Sequence, residues 1–181
     1  MSKFWLTSDT HYGHGNIITY TNRPFKSLEE MDYKLIKNHN SLVSPEDTVF
    51  FLGDFCFRNS PGGKQGEGTT NKAEFYLKQL NGNFIFIKGN HDSGNGVNAI
   101  IDYCSITYFG HNFFLTHIPS NCPHNFKLCI CGHVHDRWTF KREHGTDFIN
   151  VGVDVWDFRP ITFQTMWKKY SNWIKSGRKQ E

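Results

Sequence analysis

The sequence predicts an α/β fold, a sandwich whose strand ends carry polar residues. Three observations lead there. Short apolar runs rich in Phe, Ile and Val alternate with stretches of helical periodicity early in the chain, strand-like runs dominate later, and the runs close on Asp, Asn or His. At 181 residues the chain is most economically one domain, 1–181, long enough to bury one substantial core.

The first run, KFWLTSD at 3–9, reads as a strand. A helix is expected over 28–43, where Leu28, Met31, Leu35, Ile36 and Val43 approximate one face; Ser27 stands as N-cap, with Glu30 three residues on to complete a capping box. DTVFFLGD at 47–54 and NFIFIKGN at 83–90 are further strands, with a shorter helix expected over 71–80. NFFLTH, LCICGH and DFINVGVD supply strands at 112–117, 128–133 and 147–154, and a closing helix is expected over 163–174. RNSPGGKQGEGTT at 58–70 reads as a mobile Gly-rich loop and IPSNCPHN at 118–125 as a second. Loops 58–70 and 118–127 are where selectivity would reside.

Composition excludes several classes. Charged residues at 20% and hydrophobics at 38% are ordinary for a globular protein, and the unusual 16% aromatic content, with 17 Phe, sits in strand-like runs and reads as core. A formal charge of +3 is too small to imply nucleic acid, and Lys168, Lys169, Lys175, Arg178 and Lys179 read as a solvated terminal helix. The start shows no basic region followed by an apolar run, and no stretch approaches the roughly 20 apolar residues that span a bilayer. The expected location is the cytoplasm, without membrane contact and without an obligate protein partner. The five cysteines have no disulfide-framework spacing, which fits reduced thiols, and Cys129 and Cys131 read as small core residues.

The segment ICGHVH poses a sharper question, because Cys129, Cys131, His133 and His135 fall at every second position. In one extended strand all four share a face. One zinc ion cannot use them all: at roughly 3.3 Å per residue Cys129 and His135 would lie roughly 20 Å apart, whereas ligands must meet within about 2 to 2.3 Å of the ion. The two histidines can share one ion or serve one each of two ions.

The remaining strand ends offer partners. Asp9 and His11, then Asp54, then Asn90, His91 and Asp92, then His117, and finally His133 and His135 follow successive apolar runs. Taken singly, an Asp after a strand is ordinarily a cap and a lone His a satisfied structural residue. The same explanation must hold independently at every strand end, and carboxyl ends of strands are where α/β sites assemble.

Asp-x-His at Asp9 and His11, Gly-Asp at Gly53 and Asp54, Gly-Asn-His-Asp at Gly89 to Asp92, His117, and Gly-His-x-His at Gly132 to His135 resemble the ordered signature of the calcineurin-like metallophosphoesterases. SDTHYGHGNI and NVGVDVW are further similar to small stand-alone phosphoesterases of bacteria and their phages. The resemblance implies a four-layer αββα sandwich with a dinuclear metal site at strand ends. It implies Asp9, His11, Asp54 and His135 on one ion, and Asp54, Asn90, His117 and His133 on the other, with Asp54 bridging. Carboxylate, imidazole and amide donors suit Mn²⁺, with Fe or Zn²⁺ as alternatives.

The implied activity is hydrolysis of phosphate mono- or diesters, nucleotides or cyclic nucleotides among them, by attack of a metal-bridging hydroxide. His91 is the candidate general acid, and Asp92 is expected to orient its ring. Arg58 is a candidate phosphate clamp at the spacing related phosphatases use, although Phe55-Cys56-Phe57 lack the aspartate of that pattern. His14 and Arg23 are further candidate substrate contacts. Asp102, Asp154, His39, His111, His124 and His144 are read as structural. Two alternatives stand beside the hydrolase: a nuclease acting on DNA or RNA ends, and a non-catalytic scaffold with the same fold.

Overall fold

The computed structural model describes residues 2–64, 67–99 and 101–179. Gln65 and Gly66 of the Gly-rich loop, and Ile100, lie outside the described residues.

Two sheets pack face to face. The first has the order β3 (Asn83–Ile87), β2 (Thr48–Leu52), β1 (Phe4–Thr7), β9 (Ile161–Thr162), with β1 to β3 parallel and β9 antiparallel to β1. The second has the order β4 (Tyr103–Tyr108), β5 (His111–Thr116), β6 (Leu128–Cys131), β8 (Thr146–Asn150), β7 (Phe140–Glu143), in which β5, β6 and β8 are parallel. Alternation along each strand decides what fills the space between them. Leu6, Leu52 and Ile87 of the first sheet meet Phe113, Leu115, Ile130 and Ile149 of the second in one buried cluster.

The other face of the first sheet, with Phe51 and Phe86, is covered by α1 (Asn16–Tyr20), α2 (Leu28–Asn40) and α3 (Ala73–Leu77). The Ser27 hydroxyl accepts from the Glu30 N–H and Glu30 Oε2 from the Lys26 N–H, so the helix start was legible as a cap. At the other end, α4 (Phe163–Lys175) turns Phe163, Met166, Tyr170 and Trp173 into the inter-sheet core. Its basic residues and those just past it are exposed, as expected, while Arg178 Nη2 also lies 3.3 Å from Asp147 and Lys169 sits 4.6 Å over the Trp156 ring. The outer face of the second sheet carries Phe114, Cys129 and Cys131 beneath Cys122, Phe126 and Trp138, a layer of loop with a 3₁₀ turn at Pro119–Asn121.

Strands β4 and β7 were not expected from the sequence. Each begins or ends a tight hairpin with two left-handed central residues, Phe109-Gly110 and His144-Gly145. That geometry is ordinary for Asn-Gly, and the usual residue was missing from the signal. The described residues of the 58–70 segment are also less free than its glycines imply. Asn59 N–H donates to Thr69 at 2.7 Å, Thr69 N–H to Gly13 at 2.9 Å and Gly15 N–H to Glu67 at 2.9 Å.

Among the described residues, no helix is long and apolar enough to cross a membrane.

Candidate metal centre

The strands β1, β2 and β3 run parallel, so their carboxyl ends lie side by side. Beyond those ends the pairing continues through loops: Asp9 N–H donates to Gly53 O at 3.0 Å, and His11 N–H to Asp54 O at 3.1 Å. The loops meet closely because glycines stand where they touch. A Cβ on Gly53 or Gly89 would collide with backbone of the other loop, and one on Gly132 would collide with the Asp9 carboxylate.

Two clusters result. One ligand atom each from Asp9, His11 and His135 lie within 4.8 Å of one another, and so do those of Asp54, His117 and His133. Asp54 stands between the clusters, its Oδ2 3.3 Å from His117 Nε2 and 3.5 Å from His11 Nε2. Asn90 joins the second cluster, with Oδ1 3.0 Å from His117 Nε2 and 2.9 Å from His133 Nδ1. Asp9, His11, Asp54 and His117 are buried, whereas Asn90, His91 and His133 face solvent.

The histidines of ICGHVH reach the clusters by a different route from the one the spacing suggested. Strand β6 stops at Cys131, and His133 and His135 sit in a turn with left-handed backbone, φ 71° and 50°. A shared strand face is therefore not what aligns them. Asp9, His11 and Asp54 adopt the same unusual region, φ 57°, 50° and 57°, which turns each side chain off its strand axis toward the centre.

The donor set fits divalent cations. His117 Nδ1–H donates to Leu52 O at 2.7 Å, leaving the Nε2 lone pair aimed at oxygens that are themselves acceptors. Only a proton or a cation reconciles them. Burial works against charge on His117, but Asp54 and Asp9 outweigh it and lift its pKa to about 9. His11 is buried with neither ring nitrogen hydrogen-bonded among the described residues, and burial, ahead of the opposing pull of Asp54, holds its imidazole neutral. A buried polar group without a partner costs about 1 to 3 kcal/mol, which a metal bond removes. Burial also raises the Asp9 pKa, whereas Asp54, despite its own burial, is held well down by His117 and His11.

Two expectations are corrected. Asp92 does not orient the His91 ring: its carboxylate is occupied by the N–H groups of Gly89 (2.7 Å), Phe55 (3.0 Å) and Asp54 (3.1 Å), which lash two ligand loops together. Arg23 is buried rather than poised for substrate. Its guanidinium donates to Asp9 O at 2.7 Å and Thr10 O at 2.9 Å, and pairs with Asp154 at 2.8 Å.

The other candidates lie around the centre. The His91 ring is exposed, 5.7 Å from that of His11, while its N–H donates to Asp54 Oδ1 at 2.9 Å. His14 stacks on Phe57 at 4.5 Å and stands 5.5 Å from His11; burial, then His91, push its pKa down to about 4. Asn95 links Arg58 to the site, accepting from the Arg58 N–H at 3.1 Å and donating to the His91 carbonyl. Among the described residues, Arg58 Nε is buried without a partner.

Asp154 is the functional residue the sequence reading missed. It accepts from His135 Nδ1 at 3.1 Å, fixing the tautomer that turns Nε2 to the centre. Burial notwithstanding, His135 and Arg23 hold its pKa at about 2. The signal was present, since Asp154 closes the sixth apolar run as Asp9 and Asp54 close the first two.

The family model for calcineurin-like phosphoesterases matches residues 2–122. An uncharacterized protein of Methanocaldococcus jannaschii is 38% identical over 177 residues, 93% of this chain and 91% of that one. The Gene 66 protein of Mycobacterium phage L5 is 26% identical, covering 86% of this chain and 88% of its own. Among solved structures, a protein of unknown function from Aquifex aeolicus matches with a TM-score of 0.70 and 27% identity, over 93% of this chain and 99% of that one.

Proposed function

Because the chain belongs to the calcineurin-like phosphoesterase family, we propose that it is a metal-dependent hydrolase of phosphate mono- or diesters. In this reading Asp9, His11, Asp54 and His135 hold one divalent cation, and Asp54, Asn90, His117 and His133 hold the other. Mn²⁺ is the first choice for this donor set and Fe or Zn²⁺ the alternatives. The observation that carries the proposal is the pair of three-residue clusters with the Asp54 carboxylate between them.

When bound, such a pair of cations neutralises phosphoryl oxygens and makes a hydroxide nucleophile available near neutral pH. The chain supplies the rest. His117 and His135 are locked by Leu52 O and Asp154 into the tautomers that present Nε2. His91, exposed beside the clusters, hands a proton from its ring to the departing ester oxygen. Its backbone is fixed at both sides, by Asp54 Oδ1 and by Asn95, so the ring is presented from a stationary loop. Arg58, with a donor nitrogen that has no partner among the described residues, and His14 are assigned to the phosphate oxygens.

The test is a Mn²⁺-supplemented screen of nucleotides, 2′,3′- and 3′,5′-cyclic nucleotides, sugar phosphates and short oligonucleotides. Turnover abolished by a chelator and restored by Mn²⁺ is expected. Metal bound in full with no turnover of any ester would return the chain to a non-catalytic role.

A further inference from the structure

A cavity of about 500 Å³ opens on the outer face of the second sheet, and His133 of the metal centre forms part of its wall. Its volume lies in the range of small-ligand sites. Ile118, Val134, Trp138 and Phe148 give it apolar surface, with Trp138 and Phe148 edge to face at 6.5 Å. Arg137 adds a cation, whereas the Lys141 charge is already met by Glu143 at 2.9 Å.

The same turn builds both sites. His133 and His135 enter the two metal clusters, and three residues later Trp138 lines the cavity. The turn is pinned from β8, because Asn150 Nδ2 donates to His135 O at 2.7 Å and to Trp138 O at 2.9 Å. Arg137 N–H closes it onto Val134 O at 3.1 Å. The Trp138 backbone is thus held at a fixed offset from His133, and its ring packs edge to face on Phe148, so less ordering is left for a ligand to drive.

We infer that this cavity is the subsite for a nucleobase, so that the substrate class is nucleotides, with the phosphate at the metal centre and the base against Trp138. The inference rests on the hydrolase reading of the centre for where the phosphate lies. An indole face accepts a flat aromatic ring, and a neighbouring guanidinium favours a nucleotide over a neutral aromatic. A bare sugar phosphate would leave the apolar wall unfilled.

The test is calorimetric binding of two phosphonates, the analogues of AMP and of ribose 5-phosphate, to the Mn²⁺-loaded protein. Both keep the charge and neither has the scissile P–O bond. The nucleotide analogue should bind at least tenfold tighter, and Trp138→Ala should erase the difference while Trp138→Phe keeps most of it. Equal binding of the two analogues to the parent protein would overturn the subsite, with no variant needed. So would an undiminished preference in folded Trp138→Ala. Base-dependent binding in a protein that turns over no ester would sink the hydrolase reading and leave the subsite standing.

Discussion

His135 Nδ1 and Asp154 Oδ2 are 3.1 Å apart, and the same carboxylate is gripped by the Arg23 Nε at 2.8 Å. One buried acid therefore serves a metal-facing imidazole and a buried guanidinium whose other donors hold the carbonyls of Asp9 and Thr10. Asp154→Asn should weaken metal at the Asp9 cluster by about 10- to 100-fold, the usual effect of losing a partner behind a ligand. Asp154→Ala should also destabilise the fold by about 3 to 5 kcal/mol, since it strands Arg23 uncompensated. Metal titration and chemical denaturation of the two variants check both numbers; unaltered metal affinity in Asp154→Asn would remove its orienting role.

Asp54 and His11 should separate in their effects. Asp54→Asn is expected to weaken both ions together, because its Oδ2 lies between His11 and His117. His11→Ala is expected to strip mainly the ion shared with Asp9 and His135. Metal content per chain distinguishes them, and full dinuclear occupancy in Asp54→Asn would end the bridging assignment.

His91→Ala should depend on the leaving group. Loss of a general acid is expected to slow alkyl or nucleoside esters by about 10² to 10⁴-fold and p-nitrophenyl esters far less. Metal content should persist. Equal losses on both ester types would mean that His91 positions phosphate instead.

Acid should weaken the fold through His39, which contacts Asn81 and Phe84 rather than the residues of the centre. It is buried in α2, donates from Nε2 to Asn81 O at 2.8 Å and stacks on Phe84. Burial lowers its pKa below the ordinary 6.5, the Asn81 carbonyl only partly opposing. The unfolded chain therefore takes up a proton that the folded chain refuses, so this contribution is complete above pH 6.5 and shrinks as pH falls below it. Thermal melts of the parent and His39→Gln between pH 5 and about 8 check the sign. The parent should lose more stability on acidification, and parallel profiles would exclude His39.

Much of this was legible in the sequence because the relevant signals were local. Ser27 and Glu30 announce the start of α2, and the apolar runs announce β1, β2, β3, β5, β6 and β8. The residues of the centre were legible for the same reason, each standing just past its run. What failed was long-range or unusual in geometry. Arg23 looks like a surface arginine until Asp154, 131 positions away, claims it. Asp92 adjoins His91 in sequence, yet its carboxylate turns to backbone N–H groups of a neighbouring loop. The strands around Phe109-Gly110 and His144-Gly145 were hidden because a non-glycine residue occupies the left-handed position in each turn.

The left-handed backbone at Asp9, His11, Asp54, His133 and His135 sets two selective pressures against each other. Each such residue gives up on the order of 1 kcal/mol that glycine would recover, with asparagine and aspartate losing less than most. A population screened for heat resistance alone would thus gain by glycine at His11, whose ring nitrogens have no hydrogen-bond partner among the described residues, whereas at Asp9 and Asp54 the backbone gain is offset by the lost acceptors of the His133 and His91 N–H groups. Persistence of His11 in a lineage would therefore be a record of demand for the chemistry, since the fold by itself does not ask for its imidazole.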